Sequence, residues 1–322
     1  QRCALARALL NRPDVILAMS PTGQGGGQHH QTMSQLTIEA FRAAADPARF
    51  LEQIKAGLRP WQAKKLYVGG GPPPGSIGAV SSSGSRPGTG RTAPPEEAGT
   101  ALVDANVYDS LLGRTYAEIG AAARAYHKCQ GTGQILPLPG PSPARYRLQD
   151  SAVPAQTGGA GDWLFDGVDT SVAGLVQYVT GPVPADLTSG LAAIAKAAAS
   201  AQEAFERAGD AATQAPILAG LSAVRALRTR LGAMTIDDAA RYEIDLRLAS
   251  TERDFQDAAI AAFGLTFRAM ADDGLVVPGQ PVSVTLFASN QLGGDVQVSG
   301  ASVSGFDGQA GCPTGPVAKG TQ

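Results

Sequence analysis

The chain contains three histidines, and two of them are adjacent, in the string Gly25-Gly26-Gly27-Gln28-His29-His30. An imidazole is neutral or protonated near physiological pH, so it can ligate a metal or move a proton. The string follows an apolar run, Val15-Ile16-Leu17-Ala18-Met19, that predicts a buried parallel strand. A helix is expected over residues 31–44, with Leu36, Ala40, Ala43 and Ala44 on one face. The pair therefore belongs at a strand–loop–helix junction, where open α/β sheets place their ligands. Glycines there permit close approach of a bound group, and a helix start offers unpaired amides to an anion. Gly27 and Gln28 would line the same site. By itself the pair does not fix a chemistry, because two adjacent histidines in a Gly-rich loop are more often an ordinary exposed loop. Adjacent side chains also diverge, so a single metal would not take both.

The elements that must position this pair read as an α/β arrangement. Residues 1–10 (QRCALARALL) form an amphipathic helical pattern that stops at Asn11-Arg12-Pro13. After the helix that follows the histidines, a shorter helix is expected over 47–56 and a strand over 64–68 (KKLYV). Helix, strand, loop, helix and strand in that order predict a doubly wound sheet. Residues 69–100 are of low complexity and are expected to be a loop, since they hold too little apolar surface to offset ordering. Order resumes near Ala101, and Thr115 with Glu118 forms a capping-box signal for a helix ending near Lys128. Residues 136–182 read as an irregular Pro/Gly-rich connection with Trp163, Phe165 and Tyr178 as anchors. Residues 183–273 read as antiparallel helices, over 187–209, 216–231 and from a cap at Thr235–Asp238 onward, with Ile244, Leu248, Phe255 and Ala259 at helical spacing. From Gly274 the alternation Val282, Val284, Leu286, Ala288 predicts a strand, paired through Gly293-Gly294 with Val296–Val298. Both ends break into patterned sequence, so the chain is expected to be part of a longer one.

Composition excludes some classes of partner. Lys and Arg total 26 against 28 Asp and Glu, the net charge is −2, and the basic residues are scattered. A nucleic-acid or anionic-membrane partner is not expected. No apolar run reaches the length of a transmembrane helix. Cys3, Cys129 and Cys312 are far apart and odd in number, so they imply no disulfide framework. The glycines at 23–27 lack the strand-to-helix spacing of a dinucleotide loop.

One resemblance gives these residues a common chemistry. Arg12-Pro13-Asp14-Val15-Ile16, then Gly27-Gln28-His29-His30-Gln31, then Glu39-Ala40-Phe41 resemble the second metal-binding segment of the PIG-L (LmbE-like) zinc-dependent N-deacetylases. In that family a strand leads to a His-Pro-Asp-His string that opens a helix. The last His ligates zinc and the first assists the tetrahedral intermediate. The match puts His30 at the ligand position, His29 at the Asp position and Gly27 at the first-His position. The assisting role then falls to His29 from a shifted place. Arg124–Gln130, with His127, Cys129 and Gln130, resembles the family's late His-x-Ser-Gln segment. His127 is equally explained as a helix-terminal residue favoured by the helix dipole. The family's early His-Pro-Asp-Asp string occurs nowhere in the chain; Asp237-Asp238 reads as a helix cap and Asp272-Asp273 as a solvated turn.

The resemblance implies a partial Rossmann-like (LmbE-like) domain over 1–135, followed by the helical region and a truncated β-sandwich-like segment over 274–322. It implies Zn2+ as cofactor and hydrolysis of an N-acetyl group from an amino sugar or sugar conjugate, with a zinc-activated water, an Asp base and a His oxyanion donor. One imidazole does not hold zinc tightly, so this chain alone is expected to be inactive and to bind zinc weakly. A C-terminal β module goes with export in the family's longer members. The competing expectation is a non-catalytic envelope or carbohydrate-binding protein that works through its helical and β modules.

Overall fold

The computed structural model describes residues 11–22, 27–69, 99–126, 128, 140–141, 143–154, 164–305 and 314–321. The helix expected over 1–10, the low-complexity segment beyond Gly69, and Trp163 lie outside these residues. The chain forms two compact units, Gln1–Asp169 and Thr170–Gln322.

The first unit is mixed α/β. Strand β1 (Val15–Ala18), helix α1 (Gln28–Ala43), the short helix α2 (Leu51–Lys55) and β2 (Lys65–Gly69) follow one another. β3 (Thr100–Val103) comes next, then a two-residue-per-strand hairpin of β4 (Tyr108–Asp109) and β5 (Arg114–Thr115), helix α3 (Tyr116–Ala125) and β6 (Ala144–Ser151). The main sheet has the order β1-β2-β6-β3. β1 runs parallel to β2, while β6 is antiparallel to both β2 and β3, so β1, β2 and β3 point the same way. β2 is covered on both faces, as its unbroken apolar run Leu66-Tyr67-Val68 requires. On one face Phe41 and Ile38 of α1 pack on Ile16, Ala18 and Leu66. On the other, Tyr67 and Ala101 meet Leu164, Tyr146 and Leu148.

Polar contacts fix the frame around β1. Arg12 has φ +47 and sends its guanidinium to the carbonyls of Arg59 (3.0 Å) and Pro60 (3.1 Å), lying over the Trp61 ring. The Trp61 indole donates to the Pro13 carbonyl at 2.8 Å. Arg42 near the end of α1 reaches Asp150 of β6 with two bonds, 2.9 and 2.5 Å. That fork holds the Asp150 carboxyl below its usual range.

Three expectations change here. β1 is a strand, but it lies at the sheet's edge and Leu17 is 47% exposed, so it is half-buried rather than buried. The helix expected over 47–56 is a single turn, because Phe50 takes a left-handed conformation just before it. Residues 144–151, expected to be irregular, form the central strand β6. Their alternation (Tyr146 and Leu148 inward, Arg145 and Arg147 to the opposite face) is diluted by prolines and glycines on either side. The capping box at Thr115 and Glu118 forms as expected, and α3 ends at Ala125.

In the second unit a 3₁₀ turn (Ala173–Tyr178) precedes three long helices, α4 (Ala185–Ala208), α5 (Asp210–Leu231) and α6 (Asp238–Phe263). They are antiparallel neighbours. Gly190 of α4 abuts Leu227 of α5, Gln214 of α5 donates to the Ala262 carbonyl, and Arg228 pairs with Asp245. A single residue, Gly209, with φ +74, turns α4 into α5, and this corner starts α5 six residues before Pro216 rather than at it. Burial of Thr213 and Ile217 opposes the ~3 kcal/mol cost of an interior proline. Asp237 caps α6 by accepting from the Ala240 amide at 2.8 Å. Gly264, with φ +62, stops it.

Beyond Gly264 the helical expectation fails, because residues 265–271 are strand β7, paired antiparallel with β8 (Val284–Asn290). The expected pairing of residues 282–288 with 296–298 fails for the same reason. β8 takes the upstream strand, while β9 (Val296–Val298) pairs with β10 (Gly315–Val317). Seven consecutive register pairs form between β7 and β8 once the left-handed glycine turns the chain back. Asp272 and Asp273 lie in the exposed turn joining them, as expected.

Candidate functional site

Because β1, β2 and β3 are codirectional, their carboxyl ends share one edge of the sheet. The segment leaving β1 at that edge returns as α1, and α1 opens with Gln28, His29 and His30. Gly27 is the N-cap, in extended conformation with φ −70, and has no side chain with which to cap. Its carbonyl accepts from the amides of His30 (3.0 Å) and Gln31 (3.2 Å), closing the first turn. Ser34 donates to the His30 carbonyl at 3.0 Å and is buried. That bond lies within the helix itself; Ile38 and Phe41 further along pack the helix on the sheet.

Gly27, Gln28, His29 and His30 are all exposed. Successive helical residues are about 100° apart around the axis, so the two rings face different directions. His127 and Gln130 lie outside the described residues. Among the described residues no group of three or more His, Cys, Asp or Glu side chains could hold a metal ion. The arrangement thus offers one or two solvated imidazoles at a helix start, able to bind an anion or contribute a single metal ligand.

The same edge carries two residues that sequence reading passed over. Asp104 and Asn106 follow β3; Asp104 accepts from the Asn106 amide at 2.9 Å, and the buried Asn106 donates to the Gly140 carbonyl at 2.6 Å. An acid immediately after a strand was the available signal. β3 is three strand spacings from β1, about 14 Å, and among the described residues Asp104 and His30 belong to no group of three or more side chains that could hold a metal ion. Asp109 is instead a turn residue: the Tyr116 hydroxyl (2.7 Å) and the amides of Leu112 and Leu111 hold its carboxyl below the ordinary range.

Comparison with known proteins adds no relative: no family model, no curated protein and no solved structure matches this chain.

Proposed function

We propose that the chain is part of a metal-dependent N-deacetylase of the PIG-L (LmbE-like) type, with a partial Rossmann-like first unit acting on an N-acetylated amino sugar or conjugate. One observation carries the reading: a parallel β1-α1-β2 unit whose helix begins with His29 and His30 at the carboxyl edge of the sheet. In this reading His30 contributes one ligand to Zn2+, and His29 donates to the oxyanion. Zinc would supply an activated water and a polarised carbonyl. The described residues do not complete such a centre, since a single exposed imidazole stands where three protein ligands are needed. No catalytic step is therefore assigned to this chain alone.

The test begins with the coding sequence that adjoins the codon for Gln1. An in-frame strand followed by His-Pro-Asp-Asp supports the reading, and a complete upstream frame without it removes the reading. If it is present, acetate release by the longer protein should require zinc. That release should fall about 10²-fold or more in His30→Ala, the scale of losing a group that acts directly on the reaction. The 322-residue chain itself should retain substoichiometric zinc after dialysis. Stoichiometric zinc that persists in His30→Ala would count against the assignment.

A further inference from the structure

Strands β7 and β8 are joined by residues 272–283, and this connection carries consecutive apolar side chains where turn residues are ordinarily polar. Leu275 is 85% exposed, Val276 47% and Val277 64%, with exposed Pro278 next in line. The connection is braced at several points. The Asp272 amide donates to the Ser283 carbonyl, and the Ser283 amide donates to the Asp272 carboxylate, each at 3.0 Å. Asp273 accepts from the Leu275 amide at 2.9 Å and from the Gln280 side-chain amide at 3.2 Å. Pro278 and Gly279, the latter with φ +86, make a tight turn closed by the Gln280 amide on the Val277 carbonyl at 3.0 Å. Polar contacts within the connection thus fix its course and leave the three apolar side chains to solvent.

Exposed apolar surface continues down both faces of the hairpin. The register puts Phe267 and Leu286 on one face and Met270 and Phe287 on the other, and all four are exposed. A folded partner lying on such a hairpin covers one face and leaves the other wet. Three residues at a loop end also fall far short of the about 20–30 residues a side that a stable protein interface uses. A fluid apolar phase surrounds a protrusion and accepts every side chain on it at once. The charges nearest along the chain are the carboxylates of Asp272 and Asp273, which complement the ammonium of a choline headgroup and repel an anionic one.

We propose that the β7–β8 hairpin is a membrane-surface contact: Leu275, Val276 and Val277 enter the interface of a zwitterionic phosphatidylcholine bilayer, and Asp272 and Asp273 stay among its headgroups. Insertion is shallow, because the carboxylates lie within three residues of Leu275. Attachment through three side chains is weak and reversible. The inference is independent of the hydrolase reading, which concerns the other unit.

Cosedimentation of the full chain with phosphatidylcholine vesicles tests the assignment. The pelleted fraction should grow with lipid, and exchanging part of the phosphatidylcholine for phosphatidylserine should lower it. Leu275→Ser, Val276→Ser and Val277→Ser together should reduce partitioning about tenfold or more, on the scale of about fourfold per buried CH2. Val276→Trp should raise it several-fold, since indole favours the interface. Its fluorescence should be quenched by brominated phosphatidylcholine in excess of the parent's. These positions are exposed, so far-ultraviolet dichroism should stay that of the parent in both variants. No pelleting of the parent, a serine variant that partitions as the parent does, an unquenched tryptophan at 276, or binding that requires phosphatidylserine overturns the proposal. So does self-association of the parent that the serine variant abolishes, since the loop would then dock on a second copy of the chain.

Discussion

Gly220 of α5 faces the ring of Phe255 on α6 so closely that a methyl group does not fit. A Cβ at that position would fall within the van der Waals envelope of Phe255 Cε1 and Cζ, and 2.9 Å from Cδ1. Ordinary carbon contacts lie near 3.5–4.0 Å, so the ring would have to move by about 1 Å or more. Two effects oppose each other in Gly220→Ala. Alanine is favoured over glycine in a helix by about 1 kcal/mol. Overpacking a filled position costs about 1–3 kcal/mol. Phe255 is only 8% exposed, yet it lines an open cleft beside Ala201, Ile217 and Ala258, so the ring can yield in that direction and the cost should fall mid-range. The net expectation is a loss of about 1 kcal/mol, which for a unit of this size lowers Tm by about 2–4 °C. Helix dichroism followed through thermal and urea melts measures it. In a Phe255→Leu background the clash disappears, so the same glycine substitution should become neutral or stabilising. A Gly220→Ala chain at least as stable as the parent, with no difference between backgrounds, would refute the packing argument.

Other expectations follow from single contacts. Glu252 accepts from Arg225 at 2.8 Å and Arg228 at 2.6 Å, and these bonds hold its carboxyl below the usual range. A depressed folded-state pKa contributes stability that is present above the unfolded value, about 4.3, and is lost as pH falls through the folded one. Acid melts of Glu252→Gln should therefore show a flatter loss of stability in that window than the parent. Thr115→Ala removes the hydroxyl that accepts from the Glu118 amide at 3.1 Å, and should cost about 1 kcal/mol locally. Faster hydrogen exchange at Glu118 reports it, and unchanged exchange contradicts it. Asn290 is fully buried and donates to the carbonyls of Gly294 (2.7 Å) and Val317 (3.1 Å). Asn290→Leu leaves both without that donor, at about 1–3 kcal/mol each way of counting a lost buried bond, and should speed proteolysis between residues 291 and 321. Cleavage at the parental rate would show that the asparagine does not tie β8 to the turns around it.

What the residues announced locally is what came out as read. β1 and β2, the start of α3 at Thr115, the Asp237 cap and the helical spacing of Ile244, Leu248 and Phe255 each depend on neighbours within a few positions. The junction holding His29 and His30 was legible for the same reason, since a strand, a glycine run and a helix lie in a row. Local sequence offered both an exposed loop and a ligand site for them; their exposure was settled by the fold, because it depends on what is brought over the loop rather than on the loop itself.

The remaining features needed partners distant in sequence. Ala144–Ser151 is a central strand only because β2 and β3 flank it, and composition around it hid its alternation. Leu265–Ala271 reads as more helix until Gly264 reverses the chain and β8 supplies its hydrogen bonds. The cleft is set by a difference in side-chain volume between the two ends of three helices, summed across α4, α5 and α6. By itself the sequence determined where most elements begin and stop, because caps, glycines and periodicity act within one or two turns. Only the tertiary structure decided which strand pairs with which, which surfaces remain open and how far apart the polar groups stand, because pairing and burial are settled by contacts that no short stretch of chain contains.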